Sequence, residues 1–196
     1  FLDRIGWHGA ERRMLAADAS FRHYARIQYG DRIAVLMDAP PPWEDVAPFI
    51  AVTRYLAACD VTVPVIIEAD AAQGFLLLED LGNHSFTRLL QESRERERAL
   101  YLAAVDALVA IYQASKAQAA TLSKALKPYD MEVYLREVAL FADWFLPQAV
   151  GVAQAKALRA EWLEIWETAL ASAGLKQSCL VHRDYHADNL FWLDGR

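Results

Sequence analysis

At 196 residues, with 55% hydrophobic and 23% charged side chains, the chain is long enough to bury a substantial core and has the make-up of a folded globular protein, not a disordered one. A formal charge of -6 argues against nucleic acid or an anionic membrane as the main partner, and no apolar run reaches the length of a membrane span. With no leader-like N-terminal pattern and only Cys59 and Cys179, far apart and each in an apolar context, a cytoplasmic protein with two packed, unpaired thiols is expected.

A polar, helix-like start runs from Arg4 to Ala16, followed by the small, polar segment Ala17 to Arg22. Alternation from Tyr24 to Tyr29 predicts a strand. Gly30-Asp31 supplies a two-residue turn and Ile33 to Met37 a second strand, so the pair is a hairpin that Pro40-Pro41-Pro42 brings to a stop. Asp45 is placed to cap a helix with Pro48 in its first turn and Phe49, Val52 and Leu56 on one face. Val61 to Ile67 is β-rich, Asp70 to Gly74 reads as a turn, and Phe75 to Leu78 as a short buried strand leading to Glu79-Asp80-Leu81-Gly82.

From about residue 85 the pattern becomes helical, which sets a lobe boundary at 79/80 and predicts lobes over 1–79 and 80–196. Leu102, Val105, Val109 and Tyr112 share a face of a long helix that follows the solvated charge run Arg94 to Arg98. Tyr134, Val138, Phe141 and Phe145 mark a second helix ending by Pro147, and Leu158, Trp162, Ile165, Trp166 and Leu170 a third that Gly174 stops. Both aromatic stripes read as core. The fold class is therefore α+β, a β-rich first lobe followed by a mainly helical one.

Straight out of the apolar run Cys179-Leu180-Val181 comes His182-Arg183-Asp184-Tyr185-His186-Ala187-Asp188-Asn189, with the spacing H-x-D-x-x-x-x-N. An aspartate beside a substrate hydroxyl can accept its proton, and an asparagine five residues on can return to the same place as a neutral oxygen donor to Mg²⁺. Two readings of the motif stand: a phosphotransfer loop, or a polar surface turn whose side chains cap one another. The flanks, a helix before and Leu190-Phe191-Trp192 after, suit a loop held between two small strands.

With this loop, the pieces Asp18-Ala19-Ser20-Phe21-Arg22, Met37-Asp38-Ala39-Pro40-Pro41, Glu44-Asp45 with Pro48-Phe49, and Leu76 to Gly82 together resemble the aminoglycoside phosphotransferase and choline kinase branch of the protein-kinase-like fold, and within it the bacterial anomeric kinases of N-acetylmuramate and N-acetylglucosamine. The resemblance covers nearly the whole chain. It implies ATP- and Mg²⁺-dependent phosphorylation of the anomeric hydroxyl of an amino sugar in peptidoglycan recycling, by a monomer acting on small molecules. Carried over by position, Asp184 is the base and Asn189 a metal ligand. His182 belongs to the catalytic set, orienting the loop. Ser20, Phe21 and Arg22 stand over the phosphates, Glu79, Asp80 and Leu81 form the hinge that reads adenine, and His186 and Asp188 touch sugar or serve structure.

The first lysine of the chain is Lys116, and Met37 stands where a phosphate-pairing Lys or Arg is expected, so Arg22 or Arg26 with backbone amides near Ser20 must take that part, unless both arginines are merely solvated strand residues. The chain ends at Arg196, where relatives turn into a strand bearing the Mg²⁺-binding aspartate; these 196 residues alone are expected to be inactive. An aminoglycoside, choline or homoserine-type acceptor keeps the same fold. A nucleotide-binding module without catalysis is the third alternative.

Overall fold

In the computed structural model, residues 1–15, 21–59, 61–122, 126–175 and 179–193 are described. They fall into two compact units, one drawn from residues 1–125 and 182–196, the other from 126–181.

The first unit is built on an antiparallel sheet of five strands, β1 (Glu11–Met14), β2 (His23–Tyr29), β3 (Arg32–Asp38), β4 (Ile66–Asp70) and β5 (Phe75–Glu79), in the order β1-β2-β3-β5-β4. The predicted hairpin is β2 and β3, with Tyr29 opposite Arg32 and Gly30 at φ 59° in the two-residue turn, a left-handed conformation that glycine takes without steric cost. β3 and β5 lie inside the sheet and are buried on both faces, which is why Leu76, Leu77 and Leu78 form an unbroken apolar run. On one face Ile27, Leu36 and Leu77 pack with Leu2 and Trp7; on the other Met37, Leu76 and Leu78 pack with Val46, Phe49 and Ile50. Each fully buried leucine contributes about 2 kcal/mol of transfer free energy.

Two expectations for this unit, one of a helix and one of a strand, need correction. The N-terminal helix is absent: a 3-10 turn over Leu2–Ile5 stops at Gly6 (φ 77°), and the charged stretch after it pairs with β2 as an edge strand, Glu11 opposite Gln28. Helix-forming residues yield there to sheet pairing, and their charges blunt the exposed edge. The β-rich piece at Val61 begins pairing only at Ile66, because Pro64 has no N–H to give and Val65 is tied to one residue, its N–H donating to the Glu79 carboxylate (3.1 Å) and its carbonyl accepting from the Glu79 N–H (2.8 Å).

α1 (Ala47–Ala58) follows β3. Pro48 sits in the first turn, as the sequence predicts, but the capping position is Val46, which makes no side-chain cap; Asp45, one residue earlier, accepts from the Ala47 N–H through Oδ1 at 2.8 Å. α2 (Phe86–Glu92) is capped by Ser85, whose Oγ accepts from the Arg88 N–H, and α3 (Glu97–Leu122) comes next. α3 has the predicted period in a different phase: Leu100, Ala104 and Ile111 are buried, whereas Leu102, Val105, Val109 and Tyr112 are exposed. The buried stripe is chosen by Phe86 and Leu89, which pack against Leu100 and Ala104.

In the second unit α4 (Met131–Leu140), capped by Asp130, passes through one π-helical turn at Phe141–Phe145 into α5 (Leu146–Val150) and then α6 (Val152–Ser172). Pro147 does not end the second helix. It occupies the first turn of α5, directly after the widened turn, where its missing N–H costs least, and the stop comes at Gly151 (φ 86°). Trp162 donates its Nε1–H to the Val138 carbonyl at 2.8 Å and stacks on Phe141, with Trp166 edge-on; the two tryptophans are half-buried, while Phe141, Phe145 and Ile165 are exposed. Cys59 is buried, but Cys179, expected to pack, is exposed in a stretch without regular structure. Among the described residues no helix is long and apolar enough to cross a membrane.

Candidate functional site

The loop from His182 to Trp192 is fastened to the segment before α2 by backbone pairing. The Phe86 N–H donates to the Leu190 carbonyl (2.8 Å), the Trp192 N–H to the His84 carbonyl (2.9 Å), and Ser85 and Phe191 form an antiparallel bridge. This one bridge stands where two short strands are expected. Beneath it Tyr185, Ala187, Leu190 and Trp192 pack on Phe86, Leu89, Leu100 and Ala104, and the Tyr185 hydroxyl donates to the Ala104 carbonyl of α3 at 2.6 Å. Burial holds the Tyr185 phenol above its ordinary pKa, so it stays a hydroxyl donor. The interleaving of apolar with polar residues is the local reason for the site: each inward anchor leaves its polar neighbour facing out.

Asp184 and Asp188 are accordingly exposed and His186 is half-exposed. Asn189 folds back five residues. Its Nδ2 donates to Asp184 Oδ2 at 2.7 Å and to the Asp184 carbonyl at 3.0 Å, while its own N–H donates to the His186 carbonyl. His186 Nε2 lies 3.1 Å from Asp184 Oδ1 and 3.2 Å from Asn189 Nδ2, with Nδ1 3.5 Å from Asp188. Nε2 can donate to the Asp184 carboxylate or accept from the Asn189 amide, so that nitrogen serves one of the two at a time. Arg183, between His182 and Asp184, has φ 72°, a strained conformation for a residue with a Cβ.

The His182 ring stands edge-on to Tyr185 at 5.2 Å. Burial lowers its pKa, with nearby Asp184 opposing and His186 adding to the effect. Its folded value therefore lies below the unfolded value of about 6.5, so neutral His182 contributes stability that is complete above that pH and lost as pH falls towards the folded value. Thermal melts from pH 8 to 5 should show wild type losing stability below about pH 6.5, and His182→Phe, which keeps a ring and cannot titrate, losing less. Equal losses would remove His182 from the account.

Ser20 lies outside the described residues. Phe21, exposed, packs on Trp43 with ring centroids 5.6 Å apart, and Arg22 Nε donates to Glu44 Oε2 at 2.9 Å. Burial works against the Arg22 charge, but the hydrogen bond and charge of Glu44, with Tyr24, outweigh it and raise its pKa. In the predicted hinge, the Glu79 N–H and carboxylate are both engaged with Val65, and Asp80 accepts from Arg26 and from the Gly82 N–H. Leu81 is half-buried. The predicted residues thus gather in three places: the loop 182–189, the segment 79–81 and the pair 21–22. Reading the sequence passes over Glu44 and Tyr185. Glu44 stands in the resembled run Glu44-Asp45 without a role assigned to it, whereas the alternation Asp184-Tyr185-His186-Ala187 was a usable sign of an inward tyrosine.

Among the described residues no group of three or more His, Cys, Asp or Glu side chains is arranged to hold a metal ion. The hard oxygens of Asn189 and its neighbours suit Mg²⁺, an ion that takes few protein ligands and fills its shell with phosphate oxygens and water. Asn189 fits as one such donor and does not make a site by itself.

A family model described as a phosphotransferase enzyme family matches residues 11–196. Curated N-acetylmuramate/N-acetylglucosamine kinases are similar to the chain: that of Pseudomonas aeruginosa is 41% identical over 89% of this chain and 49% of its own length. That of Neisseria meningitidis is 38% identical over 92% of this chain and 53% of its own length, and that of Caulobacter vibrioides 30% identical over the whole chain and 62% of its own. The chain spans about half the length of the first two.

Proposed function

The chain belongs to the phosphotransferase enzyme family, and from that premise we propose that the whole protein is an ATP-dependent kinase of small molecules, acting on the anomeric hydroxyl of N-acetylmuramate or N-acetylglucosamine. The observation that carries the reading is the meeting of Asp184 and Asn189: a solvent-facing carboxylate held at 2.7 Å by an amide, on a loop pinned to α3 and to the segment before α2. Phosphoryl transfer asks a protein mainly for position and charge. As the sugar oxygen attacks the γ-phosphorus and the bond to the ADP oxygen breaks, the Asp184 carboxylate takes the hydroxyl proton. Asn189 keeps that carboxylate aimed, and an anomeric hydroxyl, more acidic than an ordinary alcohol, suits so weak a base. Mg²⁺, with Asn189 among its oxygen donors, would neutralise charge on the phosphates.

In this reading residues 1–79 form the nucleotide lobe and 80–196 open the second lobe. Ser20, Phe21 and Arg22 cover the phosphates, Leu81 with the backbone of Asp80 reads the adenine edge, and His186 and Asp188 face the sugar. The setting is peptidoglycan recycling by a cytoplasmic monomer, where ATP is at hand.

The test is a panel of acceptors given to the full-length protein with ATP and Mg²⁺ and followed by phosphorus NMR. Sugar 1-phosphates are expected. Phosphorylation confined to an aminoglycoside, choline or homoserine would reassign the acceptor, and nucleotide binding without any transfer would reduce the protein to a binding module.

A further inference from the structure

Arg26 lies on β2, opposite Val35 of β3 and Arg13 of β1, and is 54 residues in sequence from Asp80. Its Nη2 donates to Asp80 Oδ1 at 2.9 Å and to the Gly82 carbonyl at 3.0 Å, its Nη1 donates to Asn83 Oδ1 at 3.0 Å, and its Nε lies 2.5 Å from Asp80 Oδ2. Asp80 Oδ1 also accepts from the Gly82 N–H at 2.9 Å, closing a turn whose glycine stands at φ 80°. Both partners are well covered, with side-chain exposures of 21% for Arg26 and 12% for Asp80, so the pair is poorly screened by water. Only a planar fork serves three acceptors at these angles; an ammonium is a single point of charge.

The residues that follow are the ones that hold the loop. His84 accepts from Trp192, Ser85 bridges Phe191, and Phe86 donates to Leu190, the neighbour of Asn189. One continuous strap, residues 80–86, is thus fixed by Arg26 at its start and bears the loop of Asp184 and Asn189 at its end.

We infer that Arg26 is a positioning residue for phosphate transfer, setting the hinge segment and through it the placement of Asp184 and Asn189, and is not a ligand of the phosphates. The inference rests on the kinase reading above. It gives one of the two arginines that the sequence leaves equivalent a definite part, since both Nη atoms of Arg26 are engaged by Asp80, Gly82 and Asn83, while its buried Nε, close to Asp80 Oδ2, makes no hydrogen bond.

The experiment compares wild type, Arg26→Lys, Asp80→Asn and the double variant in the full-length protein, measuring kcat, affinity for ATP and for adenosine, melting temperature, and hydrogen exchange of the amides in 80–86 and 189–192. For Arg26→Lys, kcat is expected to fall about 10- to 100-fold, the scale of a small misplacement of reacting groups. ATP and adenosine should weaken by the same factor, exchange should quicken in both segments together, and the double variant should lose little more than either single one. Weakening of ATP but not adenosine would make Arg26 a phosphate ligand and overturn the inference. So would a lower melting temperature with kcat intact, or faster exchange in 80–86 without change in 189–192. If the wild type proves to transfer no phosphate, the exchange measurement still decides whether the strap transmits to the loop.

Discussion

Asp184→Asn is expected to cut phosphate transfer by orders of magnitude and leave nucleotide binding in place. The substitution keeps the size and shape of the side chain, and its amide oxygen can still accept from Asn189 Nδ2, which now lies 2.7 Å from the carboxylate. What disappears is the group that takes a proton. Positioned bases contribute about 10²- to 10⁴-fold, so kcat should fall by that factor while the dissociation constant for ATP moves by no more than about threefold. Asp188→Asn is the comparison: that carboxylate is equally exposed and lies 3.5 Å from His186 Nδ1, but in this reading it faces the sugar and takes no proton, so kcat should fall by less than about tenfold and the effect should appear in KM for the sugar. Product formation with the preferred sugar, alongside titration with ATP, separates the effects. Turnover of Asp184→Asn near the wild-type rate would remove this residue from the chemistry, and loss of ATP binding in step with activity would show that the loop had collapsed.

Features written over a few residues were legible without coordinates. Gly30-Asp31 marks a hairpin because only a turn with positive φ closes two strands in two residues, and Phe75 to Leu78 reads as a strand because burial on both faces removes polar alternation. The meeting of Asp184 and Asn189 belongs to the same class, five residues bent around inward anchors. What failed depends on partners far along the chain. Glu11 to Met14 looks helical until β2 supplies its hydrogen bonds, the strand expected at Val61 starts late because Glu79 takes both main-chain groups of Val65, and the phase of α3 is decided by Phe86 and Leu89. The site divides the same way. The loop pattern is local, but the grip of Glu44 on Arg22 spans 22 residues and that of Arg26 on Asp80 spans 54, and no residue type at either end announces the other.

The largest loss of stability from a single methyl group is expected at Gly74. Its φ of +78° costs any other residue about 1–2 kcal/mol, and a Cβ there would stand 2.0 Å from the Ala39 carbonyl oxygen and 2.9 Å from its carbon. Those atoms cannot swing aside: Ala39 is fully buried against Met37 and Leu76, and its N–H donates to the Gly74 carbonyl at 2.9 Å. Relief must come from parting the end of β3 from the start of β5. Gly74→Ala should therefore cost about 3–5 kcal/mol, a large share of the stability of an ordinary domain. Gly30→Ala is the companion measurement, because Gly30 has the same hand of φ (+59°) with nothing within 4 Å of the added carbon, and should cost only about 1 kcal/mol. Urea unfolding of the two variants separates backbone strain from collision, and equal losses would contradict the collision. The damage should also reach the site: Trp43 and Glu44 both donate their N–H groups to the Pro40 carbonyl, one residue after Ala39, so displacing that turn should loosen the hold of Glu44 on Arg22 and weaken ATP binding in whatever fraction remains folded.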